Sequence, residues 1–326
     1  MRIDKDNPPD TCSTMYPSKI ENLKLIIQLS YLIPAALFQA KVIYVVAWKN
    51  REKFRKQSFF VIFLADCVTG FLLVLSSIFF SRPIMFLPQF CPFLSRFLSS
   101  HLYLLDVFYP IFRYLQALQI LLQMLLITNR ASCVLIPMTY SIFWKKWLKW
   151  VLVAVAILPF LWIWNVVISR KVIRHVYGGI FISYDRWVDW ARTSLFFTIL
   201  RGISIVVILI STVFTFFKVS NMGKTIADSE RKLCLASIFM SICFTVPALA
   251  EFRYFQIRSE LTGSNVIYAL ISISWDIQNV SSTFVLLFAS AQFRKFVLNK
   301  KPIPKKKSLW SSISKSQVKR VTSLSH

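Results

Sequence analysis

Lys41, Asp66, Asp106, Arg113, Arg201, Glu251, Arg253 and Asp276 all lie inside long apolar stretches of the sequence. A charge surrounded by hydrocarbon is costly and persists where it meets a cavity, water or a partner. Each is therefore a candidate for binding or for joining helices. On a helix that rises 1.5 Å per residue, Asp106 falls roughly 36 Å from Arg130, at the far mouth of its segment. Arg113, seven residues on, shares that face about 10 Å deeper. Measured from the same side, Arg201 reaches roughly 12 Å and Asp276 roughly 16 Å; Glu251 and Arg253 lie near that end of their segment. Arginines at one depth suit a carboxylate or other anion. Arg113, Arg201 and Asp276, with Asp106 and Glu251, are thus expected to line a cavity for a small anionic ligand. Pairing among these charges is an equally open reading. Nearer the opposite mouth, Asp66 and Asn279 come to about 12 and 15 Å from the end of their segments. They are expected to meet as a polar contact that glues two helices, a switch being the second reading. Lys41 can snorkel to the headgroups and needs no function.

The elements that carry these residues follow from composition. Of the 326 residues, 56% are hydrophobic and 16% charged, against about 25% charged in ordinary soluble domains. Apolar runs long enough to cross a bilayer occur at about 24–48, 58–80, 103–128, 148–168, 194–217, 233–255 and 265–290. The pattern predicts an all-α, seven-transmembrane helix bundle. Lys49, Arg51, Lys53, Arg55 and Lys56 crowd the first connection, and Arg294, Lys295, Lys300, Lys301 and Lys305 to Lys307 follow the last span. The positive-inside rule then places the N-terminus outside and the tail in the cytoplasm, the tail deciding the balance. The chain divides into an extracellular segment 1–23, the bundle 24–290, and a cytoplasmic part 291–326. Phe293, Phe296 and Val297 share one face, which predicts a short amphipathic helix on the inner leaflet. The Ser/Lys tail beyond it is expected to be disordered and drawn to anionic lipid. Residues 81–100, broken by Pro83, Pro88 and Pro92, read as a loop near the surface, with a re-entrant segment as the alternative. Pro110, Pro159 and Pro247 interrupt spans and remove helix hydrogen bonds; Pro247 is a candidate hinge for the inner half of span six.

Other chemistries find little support. His101, His175 and His326 form no metal-ligand pair, no glycine-rich phosphate loop is present, and no cofactor or catalytic group is expected. The net charge of +25 sits in short clusters between apolar runs, the pattern of topology rather than of a nucleic-acid face. Residues 1–23 contain no apolar core behind basic residues, so a cleavable signal peptide is not expected. Cys12 and Cys91 both fall outside; a disulfide and free thiols are both open.

The stretches NLKLIIQLSYLIP, SFFVIFLADC and ITNRASCVLIPMTYSIFW, in this order and spacing, resemble the nematode serpentine receptor class gamma family of chemoreceptors over residues 18–300. The resemblance implies a G-protein-coupled receptor-like protein of the sensory neuron membrane, partnered by a heterotrimeric G protein. Asn129-Arg130 stands where many such receptors carry an acidic residue before the arginine. Arg130 is then expected either to latch onto Asp228 or Glu230 at rest or simply to mark a helix end. Span seven carries NVSSTF in place of Asn-Pro-x-x-Tyr, and the loop 169–192 lacks the cysteine of the usual bridge to span three. The rival reading is a seven-span ligand-gated channel with its N-terminus inside, which an epitope tag at Met1 on intact cells separates from a receptor.

Overall fold

The computed structural model describes Cys12 and residues 17–55, 57–176, 179–185, 187, 188, 190–220, 239, 242–249, 252, 265–289 and 291–297. The first span is the helix Ser18–Tyr44, continued by a π turn Val45–Lys49. A short helix Arg51–Arg55 leads into the second span, Ser58–Ser76, which runs through a π turn Ser77–Ser81 into Arg82–Phe86. The third span is Leu102–Leu135, the fourth Pro137–Ile168 and the fifth Thr193–Ser220. Residues 242–249 are helical within the sixth, and the seventh is Asn265–Ala289. Five of these helices, the first to the fifth, are long and apolar enough to cross a membrane. The bundle turns large side chains such as Trp150, Leu161, Phe214 and Phe217 outward, as a surface facing lipid requires. Its interior holds Ile62, Phe63, Ile120, Leu126 and Phe244.

Several boundaries differ from those expected, for local reasons. Segment 81–100 is largely helical: Arg82–Phe86 prolongs span two, and a 3-10 turn Pro88–Phe90 leads into the helix Cys91–Ser100. Pro88 and Pro92 each occupy the first turn of a short helix, where the missing N–H costs nothing, and Pro83 comes just after the π turn in span two. Span three passes the end of its apolar run because its polar groups are satisfied. Asn129 bonds Ser58 and Tyr140, and the Trp144 indole donates to Ser132 at 2.8 Å. Span four begins at Pro137, so Lys145, Lys146 and Lys149 ride on a helix rather than a loop.

The loop 169–192 folds into an antiparallel hairpin. Strands β1, Arg170–Val176, and β2, Gly179–Asp185, pair from Arg170↔Asp185 to Val176↔Gly179. Ile173, Ile180, Ile182 and Tyr184 supply the branched and aromatic side chains that favour strands. Ile180 is buried with Ile84, Leu98 and Leu105, which seats the hairpin on the outer ends of spans two and three. A Cβ on Gly179 would fall on the Met85 backbone carbonyl, so only glycine permits this approach. Cys12 and Cys91 form a disulfide, which settles the question left open by the sequence.

The helix Ala291–Val297 follows the seventh span as expected. Its apolar face, however, turns to protein rather than to lipid. Phe293 and Val297 are buried, and Phe293 packs on Phe54, Phe60 and Phe63 with ring centroids 5.7–6.4 Å apart.

Gly70 marks a close approach of spans two and seven. A Cβ there would lie 2.5 Å from the Asn279 carbonyl oxygen and 3.0 Å from Gln119 Nε2. Small residues let membrane helices approach, and here the approach also shelters a polar belt. Gly70→Leu is expected to push the helices apart, break the bonds to Asn279 and abolish surface expression. Gly70→Ala should lower it several-fold. Flow cytometry of an N-terminal tag checks both, and wild-type levels of Gly70→Leu would refute the packing.

Candidate ligand site between the outer helix ends

A cavity of about 250 Å³ opens among spans two, three, five and seven, with β2 above it. Its walls are Ser77, Ser81, Arg82 and Met85 from span two, and Tyr109, Phe112, Arg113 and Gln116 from span three. β2 adds Phe181, Ser183 and Tyr184; span five and its approach add Arg192, Thr193, Ser194 and Phe197. Ile271, Ser272, Trp275, Asp276 and Asn279 come from span seven. The π turn Ser77–Ser81 sets the span-two wall. A π turn admits one extra residue, which rotates the following residues by about 100° around the axis.

Three arginines and one carboxylate face this space. Asp276 is buried and ion-paired with Arg82, whose Nη2 donates at 3.0 Å to Oδ1 and 2.9 Å to Oδ2. Tyr31 of span one donates to Oδ2 at 2.6 Å, and Arg82 also donates to the Ser272 carbonyl at 3.2 Å. Arg113 is fixed by Gln116 and by the Tyr109 hydroxyl, both at 3.0 Å. Arg192, at the approach to span five, is exposed. Among the described lining residues three arginines thus stand against one carboxylate, and Tyr109, Phe112, Phe181, Tyr184, Phe197 and Trp275 add aromatic surface. The Arg113 side chain also lies over the Tyr109 ring, 5.1 Å from its centroid.

The candidates from the sequence separate here. Arg113 and Asp276 come together in the cavity wall. Arg201 is fully buried but not in that wall; its guanidinium stacks 4.1 Å from the Trp275 ring, and Trp275 lines the cavity. Asp106 is not in that wall either; it faces Lys171 of β1 at 3.6 Å. Lys171 also donates to the Ser169 carbonyl at 2.8 Å. Burial lowers its pKa from the ordinary lysine value, and Asp106 draws it partly back. Glu251, Asp228 and Glu230 lie outside the described residues. Arg82, which the sequence assigned to an outer loop, and Tyr31 join Asp276 here without having been candidates from the sequence.

At the inner level the expected bond between Asp66 and Asn279 is not formed. Asp66 is fully buried against Ser282 and Gln123. The Asn279 backbone carbonyl instead accepts from Gln39 at 2.8 Å and Gln119 at 3.4 Å. Gln123 and Gln278 add a reciprocal pair, with bonds of 2.9 and 3.1 Å. A belt of glutamines thus joins spans one, three and seven where the sequence pointed to a single carboxylate. Asn129 accepts from Tyr140 at 3.1 Å and donates to Ser58 at 3.2 Å. The Arg130 guanidinium lies 3.3 Å from the Phe59 ring centroid. Pro247 is buried inside the helical stretch 242–249.

Residues 25–297 match the model of the Srg family of chemoreceptors. The chain belongs to the Srg family. It is 52% identical to serpentine receptor class gamma-1 of Caenorhabditis elegans over 288 residues, covering 88% of this chain and all of that one. Serpentine receptor class gamma-2 of the same organism is 40% identical over 287 residues, 88% of each chain. Srg membership makes this a multi-pass membrane protein with the seven-span serpentine architecture, in a class of receptors rather than of enzymes.

Proposed function

We propose that this Srg receptor takes a small anionic molecule into the outer cavity and relays its presence to a heterotrimeric G protein on the cytoplasmic face. Three arginines against one carboxylate among the described lining residues, around a space with six aromatic side chains in its walls, carry this reading. Guanidinium groups pair with carboxylates through two parallel hydrogen bonds, and the aromatic walls would take an apolar body. The N-terminal segment 1–23 is then extracellular, the bundle spans 24–290, and 291–326 faces the cytoplasm of a sensory neuron. Movement about Pro247, and release of Arg130 from Asp228 or Glu230, would carry the signal inward. Arg130→Ala is the variant that raises basal signalling under this scheme.

The test expresses the receptor in heterologous cells with a calcium or cyclic-nucleotide readout. The screen uses matched carboxylates, amides and amines that share an aromatic or aliphatic body. Carboxylates should be the agonists. Arg113→Ala should weaken the best of them by about 10- to 100-fold, the loss of one charge-assisted contact, and Arg113→Glu should abolish the response. Surface labelling should be unchanged in both. Amine agonists, or an unaltered response in Arg113→Glu, would sink the proposal.

A further inference from the structure

We infer that the inner ends of spans one and two form a binding site for one anionic glycerophospholipid. A second cavity, about 220 Å³ in volume, lies between the π turn that ends span one and the start of span two. Its slot is apolar, with Val46 and Ala47 on one side and Val61 and Leu64 on the other. Phe54 and Phe60, 4.4 Å apart, complete the lining. Behind them Phe293 and Phe296 brace Phe54 at 6.4 and 5.6 Å. The slot is therefore held open by a packed aromatic cluster. Arg51 and Arg55 line the same cavity.

The two arginines stand four residues apart on the helix Arg51–Arg55, which sets them on one face. Both are exposed. Among the described residues no carboxylate forms an ion pair with either. Tyr44 and Trp48, which flank Val46 and Ala47 in the sequence, are exposed as well, placing this helix end at the depth where aromatic side chains mark the boundary of the hydrocarbon. An apolar slot that opens at this depth beneath a pair of guanidinium groups matches a lipid in both parts. One acyl chain lies along Ala47, Val61 and Leu64, and the headgroup phosphate bridges Arg51 and Arg55. Basic pockets between helices at a membrane surface bind anionic headgroups by this chemistry. The site does not depend on what occupies the outer cavity, or on which leaflet it faces.

The test reconstitutes the full chain in nanodiscs of phosphatidylcholine with and without phosphatidylserine in both leaflets. Retained lipid is counted by native mass spectrometry after mild delipidation, and unfolding midpoints are recorded. The wild type should retain one phosphatidylserine and unfold at higher temperature in its presence. The double variant Arg51→Gln/Arg55→Gln should bind it roughly 30-fold more weakly, about fivefold for each arginine. Ala47→Trp fills the slot and keeps both arginines, and should lose the lipid as well. Val61→Trp does so from the opposite wall should Ala47→Trp fail to fold. Inorganic phosphate alone should leave the midpoint unchanged. Equal retention by the arginine variant would overturn the site, as would full retention by the filled-slot variants, which would reduce the effect to surface charge. A midpoint shift from phosphate alone, or an equal one from phosphatidylcholine, would overturn it too.

Discussion

Asp276→Ala is expected to remove most of the folded receptor from the cell surface, and Arg82→Ala to do the same. Both partners are buried, and each is the other's counter-charge at 2.9 Å. Removing one leaves an uncompensated charge in the bundle, at a cost of about 3–5 kcal/mol. Marginal stabilities of 5–15 kcal/mol leave little room for such a loss. Tyr31 would be stranded by the aspartate substitution, since its hydroxyl donates to the same carboxylate. The double variant Arg82→Met/Asp276→Leu is expected to behave differently. With both charges gone only the half-buried Tyr31 hydroxyl loses its partner, and such replacements are often neutral or stabilising. Surface labelling and unfolding midpoints in detergent should therefore show both single variants well below wild type and the double variant close to it. Its response to carboxylates should still be lost, because the cavity wall has changed. Single variants near wild-type stability would mean that the pair is solvated and the cavity larger than described.

That pair also shows how far the sequence carried the site. Asp276 and Arg113 were legible because an ionised group inside an apolar run has few physical excuses. Arg82 was not, although it is the strongest partner in the cavity. Three prolines follow it closely, and their helix-breaking reputation put it in a loop. In the structure Pro88 and Pro92 begin short helices, Pro83 lies in the continuation of span two, and the π turn before Arg82 swings it inward. Neither event has a periodicity that a sequence displays. The glutamines that bind Asn279 and Gln278 were invisible for a different reason: an uncharged amide in an apolar run is too common to single out, and only geometry shows Gln39 and Gln119 converging on one carbonyl. The hairpin above the cavity was hidden by its charges. Arg170, Lys171 and Arg174 made it read as a solvated loop, while its alternate Ile and Phe residues were building a sheet. The helix count and the amphipathic face after span seven were legible throughout, because both rest on runs of apolar residues and nothing subtler.

Cutting the bridge between Cys12 and Cys91 should weaken ligand response without touching any residue that lines the cavity. The disulfide joins positions 79 residues apart, and a random-coil loop of that size would lose roughly 4–5 kcal/mol of stabilisation on cleavage. The enclosed segment holds spans one and two, which remain helical in the bilayer even when the bundle is apart. The loop is therefore far from a random coil, and the expected loss is nearer the low end of the usual range, about 2 kcal/mol. Its consequence for binding is larger because of what the bridge anchors. Cys91 begins the helix whose Leu98 packs on Ile180 and Leu105. Ile180 precedes Phe181, Ser183 and Tyr184, the residues with which β2 covers the cavity. Loosening that helix loosens the cover, and a cover that must be ordered on binding weakens affinity. Cys12→Ser, Cys91→Ser and the double variant should therefore lose potency for a carboxylate agonist equally, since a single bond is broken in all three. Dithiothreitol should bring the wild type to the same potency and leave the variants unmoved. Additive losses in the double variant would show two separate thiol roles. Unchanged potency would show that the hairpin holds its place without the bridge.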